Sequence, residues 1–434
     1  MKKVLVLGLG AQGSAAAKRL DKDPGVSEIV VADYNMKAVN ALVEELDKAK
    51  GVQVDAFDVN SIIAAAEGCD LILNALALTF NPIVLDAALA VKANYQDYNG
   101  TDKLYEMWDA SELSKEYPVP EGLSEETEKW WKSYMAMYKI YGPKFKEIGK
   151  LALFGTGSAP GLICAASKYT MRYLDTCDSI YNIVWEGAYA KRFQPFWWSP
   201  ITAMSDMSDP AVALENGKII DTEPFSRPIK RQYEYMDEPI IFREHCHDEP
   251  FQYAFNAETE FKGLKNSYFK YAGAGMDFAS QLYPAGLLSH EEEEFNGQKI
   301  VPFDFIMSHI PAAPHFKEDI EEILEEGLAL DAGCMVIESY GKKDGKDVLV
   351  ETHVFAPGVV ESFELAGITA EMYLTGQSGY LFSKMFINDQ FEGMSGLISS
   401  DMLTQEQCDK FFEYAAELQI TLDTKIKDPS EVCD

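Results

Sequence analysis

Lys2-Lys-Val-Leu-Val-Leu7, then Gly8-Leu9-Gly10-Ala11-Gln12-Gly13, then Ser14-Ala15-Ala16-Ala17 is the stretch whose reading decides the fold. An apolar, β-favouring run that breaks into G-x-G-x-x-G and resumes in helix formers reads as a strand, a tight turn and a helix N-terminus. The first glycine lets the chain turn, the second lets backbone approach a pyrophosphate, and the third lets helix and strand pack closely. A helix N-terminus adds free N–H groups and the positive end of aligned peptide dipoles. Gly8, Gly10, Ala11, Gln12 and Gly13 are therefore expected to hold the diphosphate of a dinucleotide.

Working outward, Glu28 to Ala32 reads as a second strand ending at Asp33, twenty residues beyond Gly13. An acid there accepts the adenosine ribose hydroxyls and repels a 2′-phosphate, so NAD is expected in preference to NADP. Tyr34 and Asn35 follow it, with Lys37 the only nearby cation. Val52 to Ala56 reads as a third strand, stopping before Asp58 and Val59, which are assigned to the adenine. Leu71 to Leu73 reads as a fourth, running into Asn74-Ala75-Leu76, with Pro82 suited to the first turn of the next helix. Ligands of parallel sheets lie beyond the carboxyl ends of the strands. Asn74, Ala75 and Leu76 should thus border the inner ribose and nicotinamide, with Asn81 reaching the substrate. Asn94 to Asp97 is a fifth strand, followed by Asn99 as a further cofactor contact.

The remaining composition sets bounds. The chain has 434 residues, long enough for two domains, and 47% hydrophobic residues, enough for substantial cores. Its 38 basic and 70 acidic residues leave a formal charge of −32, which argues against nucleic acid and anionic membranes as partners. The first strand begins at once, no membrane-length apolar run occurs, and seven scattered cysteines fit a reducing cytoplasm. Thr101 to Lys150 interrupts the strand–helix alternation with Trp108, Trp130, Trp131, Tyr134, Tyr138 and Tyr141. It reads as a helical insertion with an aromatic packing stripe, and a lid over the substrate is the alternative. Leu151 to Phe154 resumes the sheet. Gly155 to Gly161 then opens a long apolar helix, and Ala159 and Pro160 at its start can pass close to a bound ring.

Gly8 to Gly13, Asp33, Asn74-Ala75, Ser158-Ala159-Pro160-Gly161, Trp198-Ser199-Pro200, Asn216-Gly217-Lys218, Phe269-Lys270-Tyr271-Ala272-Gly273 and Thr375-Gly376-Gln377 occur in that order along the chain. Together they resemble the saccharopine dehydrogenase-like family. The resemblance implies an α/β protein with a Rossmann domain over residues 1–180, carrying the insertion at about 101–150. It also implies a second α+β domain with an antiparallel sheet over 181–365, and a C-terminal helical segment, 366–434, returning to the first domain. Members are NAD(P)-linked oxidoreductases acting at carbon–nitrogen bonds, including saccharopine, lysine 6- and carboxynorspermidine dehydrogenases. A cytoplasmic homodimer is expected, with a lysine- or polyamine-derived amine held in the cleft between the domains. Two departures are noted: Ala159 stands where a family acid would be, and Trp185-Glu186-Gly187-Ala188-Tyr189 replaces a C-G-G-L-P run. The first keeps open a non-catalytic dinucleotide sensor.

In the second domain, four of six arginines fall between Arg192 and Arg243. Guanidinium forks suit substrate carboxylates, so Arg192, Arg231 and Arg243 are candidates, surface pairing being the alternative for each. Trp198 and Ser199 are assigned to the substrate as well. Hydride transfer needs positioning and proton steps need an acid or base. Glu186 and Tyr271 are the expected catalytic residues. His245 and His247, two apart, could share a metal, but no second ligand pair accompanies them and none is assigned; His315 is expected in a loop. Ile300 to Phe305, Ala332 to Tyr340 and Val348 to Phe355 read as strands, Gly341 to Lys346 as a hairpin turn, and Thr369 to Ile387 as a helix.

Overall fold

The computed structural model describes residues 1–314 and 316–431; the expected loop at His315 and the cysteine at 433 lie outside the described residues. The chain divides into two compact units, Met1–Tyr169 with Met372–Leu418, and Thr170–Glu371 with Gln419–Asp434. Among the described residues no helix is long and apolar enough to cross a membrane.

The first unit is built on strands β1 (Lys2–Leu7), β2 (Val26–Asp33), β3 (Ala49–Gln53), β4 (Leu71–Asn74), β5 (Asn94–Asp97) and β6 (Leu151–Phe154). A seventh strand, Gly396–Ser399, completes the sheet in the order 396–399, β6, β5, β4, β1, β2, β3, with every pairing parallel. The chain leaves β1 toward β2 on one side and later fills the other side from β4, so the switch point of the sheet lies beside β1. Val4 to Leu7 are buried, as a strand covered on both faces requires. The helix Ala11–Lys22 buries Ala15, Ala16, Ala17 and Leu20. The third strand lies earlier than its β-branched residues suggest: it is a mostly exposed edge whose pairing runs from Ile29↔Ala49 to Asp33↔Gln53.

The insertion is helical and its aromatic stripe is core. Trp108, Tyr134, Tyr141 and Phe145 are buried. Tyr134 and Tyr138 meet Phe154 of β6 edge-on, with centroids 5.5 and 5.7 Å away. Met137–Tyr141 forms a π-helical turn, and Tyr141 donates to Asp86 at 2.9 Å. The helix Ala370–Ile387 also enters this unit from Met372 onward. Its small residues are there for approach: a Cβ on Gly376 would lie 2.8 Å from that of Ala15, and one on Gly379 would lie 2.4 Å from the Tyr98 hydroxyl.

The second unit carries a nine-stranded sheet in the order Ile229–Arg231, Ile240–Glu244, Asn266–Gly273, Thr176–Ala190, Leu328–Lys343, Lys346–Phe355, Thr421–Lys427, with Ala211–Glu215 and Lys218–Thr222 attached to Asn266–Gly273. The expectation of a wholly antiparallel sheet is corrected: Asn266–Gly273 runs parallel to Thr176–Ala190. The long excursion between them, with its own hairpins and the helix Glu249–Asn256, supplies the crossover that parallel pairing needs. Ile300 to Phe305 is not a strand; Gln298–Ile300 closes a small hairpin and Pro302 opens the helix Pro302–Met307, where its missing N–H costs nothing. Asp344 and Gly345, both at positive φ, turn the chain between the two long strands. The segment from 366 is not purely helical either. Gly396–Ser399 joins the parallel sheet, and Thr421–Lys427, with its period-two pattern, pairs along Lys346–Phe355.

Replacing Gly379 by valine should force Tyr98 or the helix aside and destabilise the protein by about 1–3 kcal/mol. Urea unfolding followed by tyrosine and tryptophan fluorescence checks this, and an unchanged midpoint would contradict the close packing.

Candidate functional site

The β1 turn is formed as a dinucleotide requires. Gly8 has φ +92° and a Cβ on it would meet the Ala75 backbone at 2.9 Å. A Cβ on Gly13 would lie 2.0 Å from the Gly8 carbonyl oxygen, so helix and strand touch there. Above Gly10 nothing lies within 4 Å. Gly10 caps the helix Ala11–Lys22 without a side chain to accept from it, which leaves Ala11, Gln12 and their neighbours to offer N–H groups outward.

Asp33 ties this turn to the end of β2. Its Oδ2 accepts from the Leu9 N–H and its Oδ1 from the Asn35 N–H, each at 2.8 Å. A carboxylate has about four acceptor sites, so two remain for ribose hydroxyls. Tyr34 is 73% exposed beside it, Asn35 caps the following helix through Lys37 N–H, and Phe57 is 81% exposed against Phe80. Asp58 caps the helix Val59–Ala66 through the Asn60 N–H. Open space at Gly10, free helix-end donors and spare acceptors on Asp33 fit a dinucleotide.

At the ends of β4 and β5, several candidate side chains serve the fold. Asn74 donates to Asn81 Oδ1 at 2.8 Å and orders the Leu76 N–H. Asn81, 1% exposed, donates onward to Asp97 and to the carbonyls of Asn99 and Gly100. Its amide is thus occupied inside the unit, and the expected substrate contact by Asn81 is replaced by an internal lock. The Thr156–Gly161 loop is pinned by Thr156 to the Asp97 carbonyl and by Ser158 to Thr375 at 3.1 Å. Ala159 stays partly exposed there while Pro160 is buried.

In the second unit, Glu186 and Tyr271 meet. The Tyr271 hydroxyl donates to Glu186 Oε2, whereas Oε1 is buried without a hydrogen-bond partner. Glu186 is not a solvated strand end: Thr176–Ala190 runs past it on both sides, and it is 6% exposed. Gly273 and Gly333 stand opposite it on the two neighbouring strands, so no cross-strand side chain covers the carboxyl. Burial, with Glu371 nearby, holds the Glu186 carboxyl well above the usual carboxylate range, against the opposing pull of the Tyr271 and Trp198 hydrogen bonds. Burial pushes Glu371 up to about 7. Burial and the Glu186 charge likewise raise Tyr271 well above the ordinary phenol range, while Trp198 favours the charged form.

The three arginines part company. Arg243 lies directly across from Tyr271 in the sheet, one quarter exposed, with a loose 3.8 Å approach to Asp277. Arg231 is buried and clamps Glu338 at 2.9 and 3.2 Å; Tyr233 and Tyr340 donate to the same carboxylate. Arg192 is a surface fork on Glu322 and Glu326. The expected substrate roles of Arg231 and Arg192 therefore give way to ion pairing within the unit. Ser199 caps the helix Pro200–Ser208 and Trp198 leans to Glu186. Sequence reasoning weighed His245 only as a metal ligand and missed its place beside Tyr271, the two ring centroids lying 4.8 Å apart. His247 pairs with Glu249 at 2.5 Å and stacks on Phe269 at 4.0 Å; among the described residues no cluster of three or more ligand-type side chains is arranged for a metal.

Comparison with known proteins agrees with this architecture. Residues 4–139 match the family described as saccharopine dehydrogenase NADP binding domain. Carboxyaminopropylagmatine dehydrogenase of Synechocystis is 24% identical over 412 residues, 90% of each chain. Carboxynorspermidine synthase of Vibrio alginolyticus is 23% identical over 367 residues, 79% of each chain. Among solved structures, saccharopine dehydrogenase (L-Glu forming) of Saccharomyces cerevisiae superposes with a TM-score of 0.67 at 15% identity, covering 98% of this chain and 100% of that one. The homospermidine synthase of Legionella pneumophila, solved with NAD, gives 0.62 at 11% identity, covering 98% and 91%. These two likenesses carry the fold.

Arg231→Met separates a structural from a substrate-binding arginine. Leaving Glu338 buried beside its two tyrosines should cost roughly 3–5 kcal/mol. A variant that unfolds at the parent's urea midpoint, with only its substrate affinity reduced, would contradict the structural assignment.

Proposed function

We propose, from the match of residues 4–139 to the family described as saccharopine dehydrogenase NADP binding domain, that the chain is an NAD-linked oxidoreductase acting on a carbon–nitrogen bond of a carboxylated, polyamine-derived amine. The observation that carries this reading is the buried Glu186–Tyr271 pair, a carboxyl and a phenol joined by a hydrogen bond beneath two glycines. The relatives' names, carboxyaminopropylagmatine dehydrogenase and carboxynorspermidine synthase, support the substrate class.

A bound nicotinamide would supply the hydride acceptor for the carbon that bears the nitrogen. The chain's own residues do the rest. Gly8, Gly10, Ala11, Gln12 and Gly13 hold the diphosphate and Asp33 the adenosine ribose, with Tyr34, Asn35, Asp58 and Val59 around the adenine. Ala75, Leu76, Ala159 and Pro160 shape the inner end. Glu186 as carboxylate removes the proton from the amine nitrogen, and as carboxylic acid returns it in the opposite direction. Tyr271 holds the carboxyl in place, Trp198 shields it, and Arg243 offers a fork to a substrate carboxylate. A buried acid with a raised affinity for its proton suits this task, because it holds a proton more readily than an ordinary carboxylate does.

Asp33→Ala tests the cofactor. It should weaken NAD binding at least about tenfold through two lost hydroxyl contacts and leave NADP binding little changed. Calorimetry reads both, and equal affinities for NAD and NADP in the parent would refute the preference. A panel of carboxynorspermidine, carboxyaminopropylagmatine, saccharopine and lysine, assayed by nicotinamide absorbance, tests the reaction. Oxidation of a carboxylated polyamine, rising with pH as Glu186 ionises and lost by about 10²–10⁴-fold in Glu186→Gln, is the expected result. NAD binding with no turnover on any amine would favour a sensor instead.

A further inference from the structure

His245 is the buried group to which the chemistry above gives no task. It follows the strand Ile240–Glu244, is 2% exposed, and its ring lies against Tyr271 with centroids 4.8 Å apart. Its two nitrogens differ. Nδ1 sits 2.9 Å from the Cys246 carbonyl oxygen. A carbonyl only accepts, so Nδ1 carries the ring hydrogen and Nε2 keeps a lone pair. Nε2 is buried and has no hydrogen-bond partner. A buried acceptor in that state is costly unless a donor reaches it in some working form of the protein.

The hydrogen bond between Tyr271 and Glu186 can run in two directions. With Glu186 ionised, the Tyr271 hydroxyl donates to Oε2 and Nε2 of His245 is left alone. With Glu186 protonated, the carboxyl donates to the phenol oxygen, and the hydroxyl hydrogen of Tyr271 needs another acceptor. We propose that His245 Nε2 is that acceptor, so that Glu186, Tyr271 and His245 form one chain of hydrogen bonds that reverses direction whenever Glu186 gains or loses the proton of the reacting amine. This deepens the proposed proton role of Glu186 and rests on it.

One proton moves. In amine oxidation the N–H bond breaks, its electron pair stays on nitrogen, and an O–H bond forms on Glu186. The hydroxyl hydrogen of Tyr271 then swings from Glu186 to Nε2, and His245 stays neutral throughout. The two rings are neighbours, with centroids 4.8 Å apart and planes inclined at 35°, and when Glu186 is protonated the hydroxyl reaches Nε2 by a side-chain rotation or through one bridging water. His245 is a positioning residue here, since it acts through Tyr271. Burial and the neighbouring His247 hold its imidazole well below the usual histidine range, which keeps it an acceptor and not a cation.

Other charges face the chain from each packed element. His247 lies 5.5 Å from His245 by centroid and is held charged by Glu249 on the helix Glu249–Asn256, its affinity raised to about 9. Asp206 on the helix Pro200–Ser208 acts on His247. Arg243 stands across from Tyr271 and meets Asp277 on the helix Ala274–Leu282; Glu371 acts on Glu186 and Tyr271. None of these supplies Nε2 with a donor, because its lack of a partner persists with all of them in place.

His245→Asn is the selective variant. Its amide keeps a donor near the Cys246 carbonyl and removes the Nε2 acceptor. Without that acceptor the protonated form of Glu186 is less favoured, so the rising limb of the amine-oxidation pH profile should move to lower pH by about one unit, a tenfold change in proton affinity. A uniform fall in rate with the limb in place would overturn the proposal. A second readout needs no turnover: nitrogen-15 NMR of histidine-labelled full-length protein, with and without Glu186→Gln. The expected Nε2 carries no hydrogen, moves to a hydrogen-bonded position as the pH falls through the Glu186 titration, and stays there at every pH in Glu186→Gln, whose amide donates permanently. A hydrogen found on Nε2, or an Nε2 signal indifferent to both pH and Glu186→Gln, overturns the proposal. Failure of every amine to react, with this NMR behaviour intact, would overturn the proposed reaction and leave the hydrogen-bond chain standing.

Discussion

The contact between Gly13 and the Gly8 carbonyl is the constraint from which the first unit follows. A Cβ there would sit 2.0 Å from that oxygen, so the helix Ala11–Lys22 can lie directly on β1 only because residue 13 has none. That approach aims the helix N-terminus past Gly10 into open space and places Leu9 where Asp33 can hold its N–H. Asp33 then does two things at once. It fixes the turn to β2 through the Leu9 N–H and keeps acceptor capacity for a ribose.

The second unit solves a different problem, that of keeping a carboxyl out of water with few partners. Glu186 sits within a fifteen-residue strand and is flanked by glycines where neighbouring side chains would normally stand. Burial raises the cost of its charge, and the single phenol that donates to it offsets this in part. Contrast Glu338 in the same sheet, also fully buried. A bidentate arginine and two tyrosines saturate it, and such a carboxylate holds strands together without being available for chemistry. The two glutamates differ in partners: Glu338 is saturated by its neighbours, whereas Glu186 keeps one buried oxygen without a hydrogen bond.

How much of this the sequence disclosed follows from how local each signal is. The β1 turn, Asp33 at the end of β2 and the Pro82 helix start are written within a few neighbouring residues, and the folded chain has them in place. The aromatic insertion was readable as helical and packed for the same reason. Arg231 was not readable, because the carboxylate that occupies it lies 107 residues away on another strand. Asn81 looked like a pocket residue from its position after β4, yet its partners Asp97, Asn99 and Gly100 arrive only with β5. The burial of Glu186 depends on two strands contributed from far along the chain, and the unpaired Nε2 of His245 depends on a carbonyl that takes the other nitrogen. Periodicity also misplaced β3, an exposed edge with little pattern, and the parallel pairing in the second sheet, which residue type does not encode.

The central claim is that a hydrogen on the carbon bearing nitrogen passes directly to a dinucleotide held by the β1 turn. It is tested most directly by supplying a carboxylated polyamine deuterated at that carbon and examining the recovered nicotinamide by mass spectrometry. The account predicts one deuterium on the reduced ring, carried from the substrate without exchange into water. Reduced cofactor without the label, or no reduced cofactor at saturating amine and NAD, would contradict it.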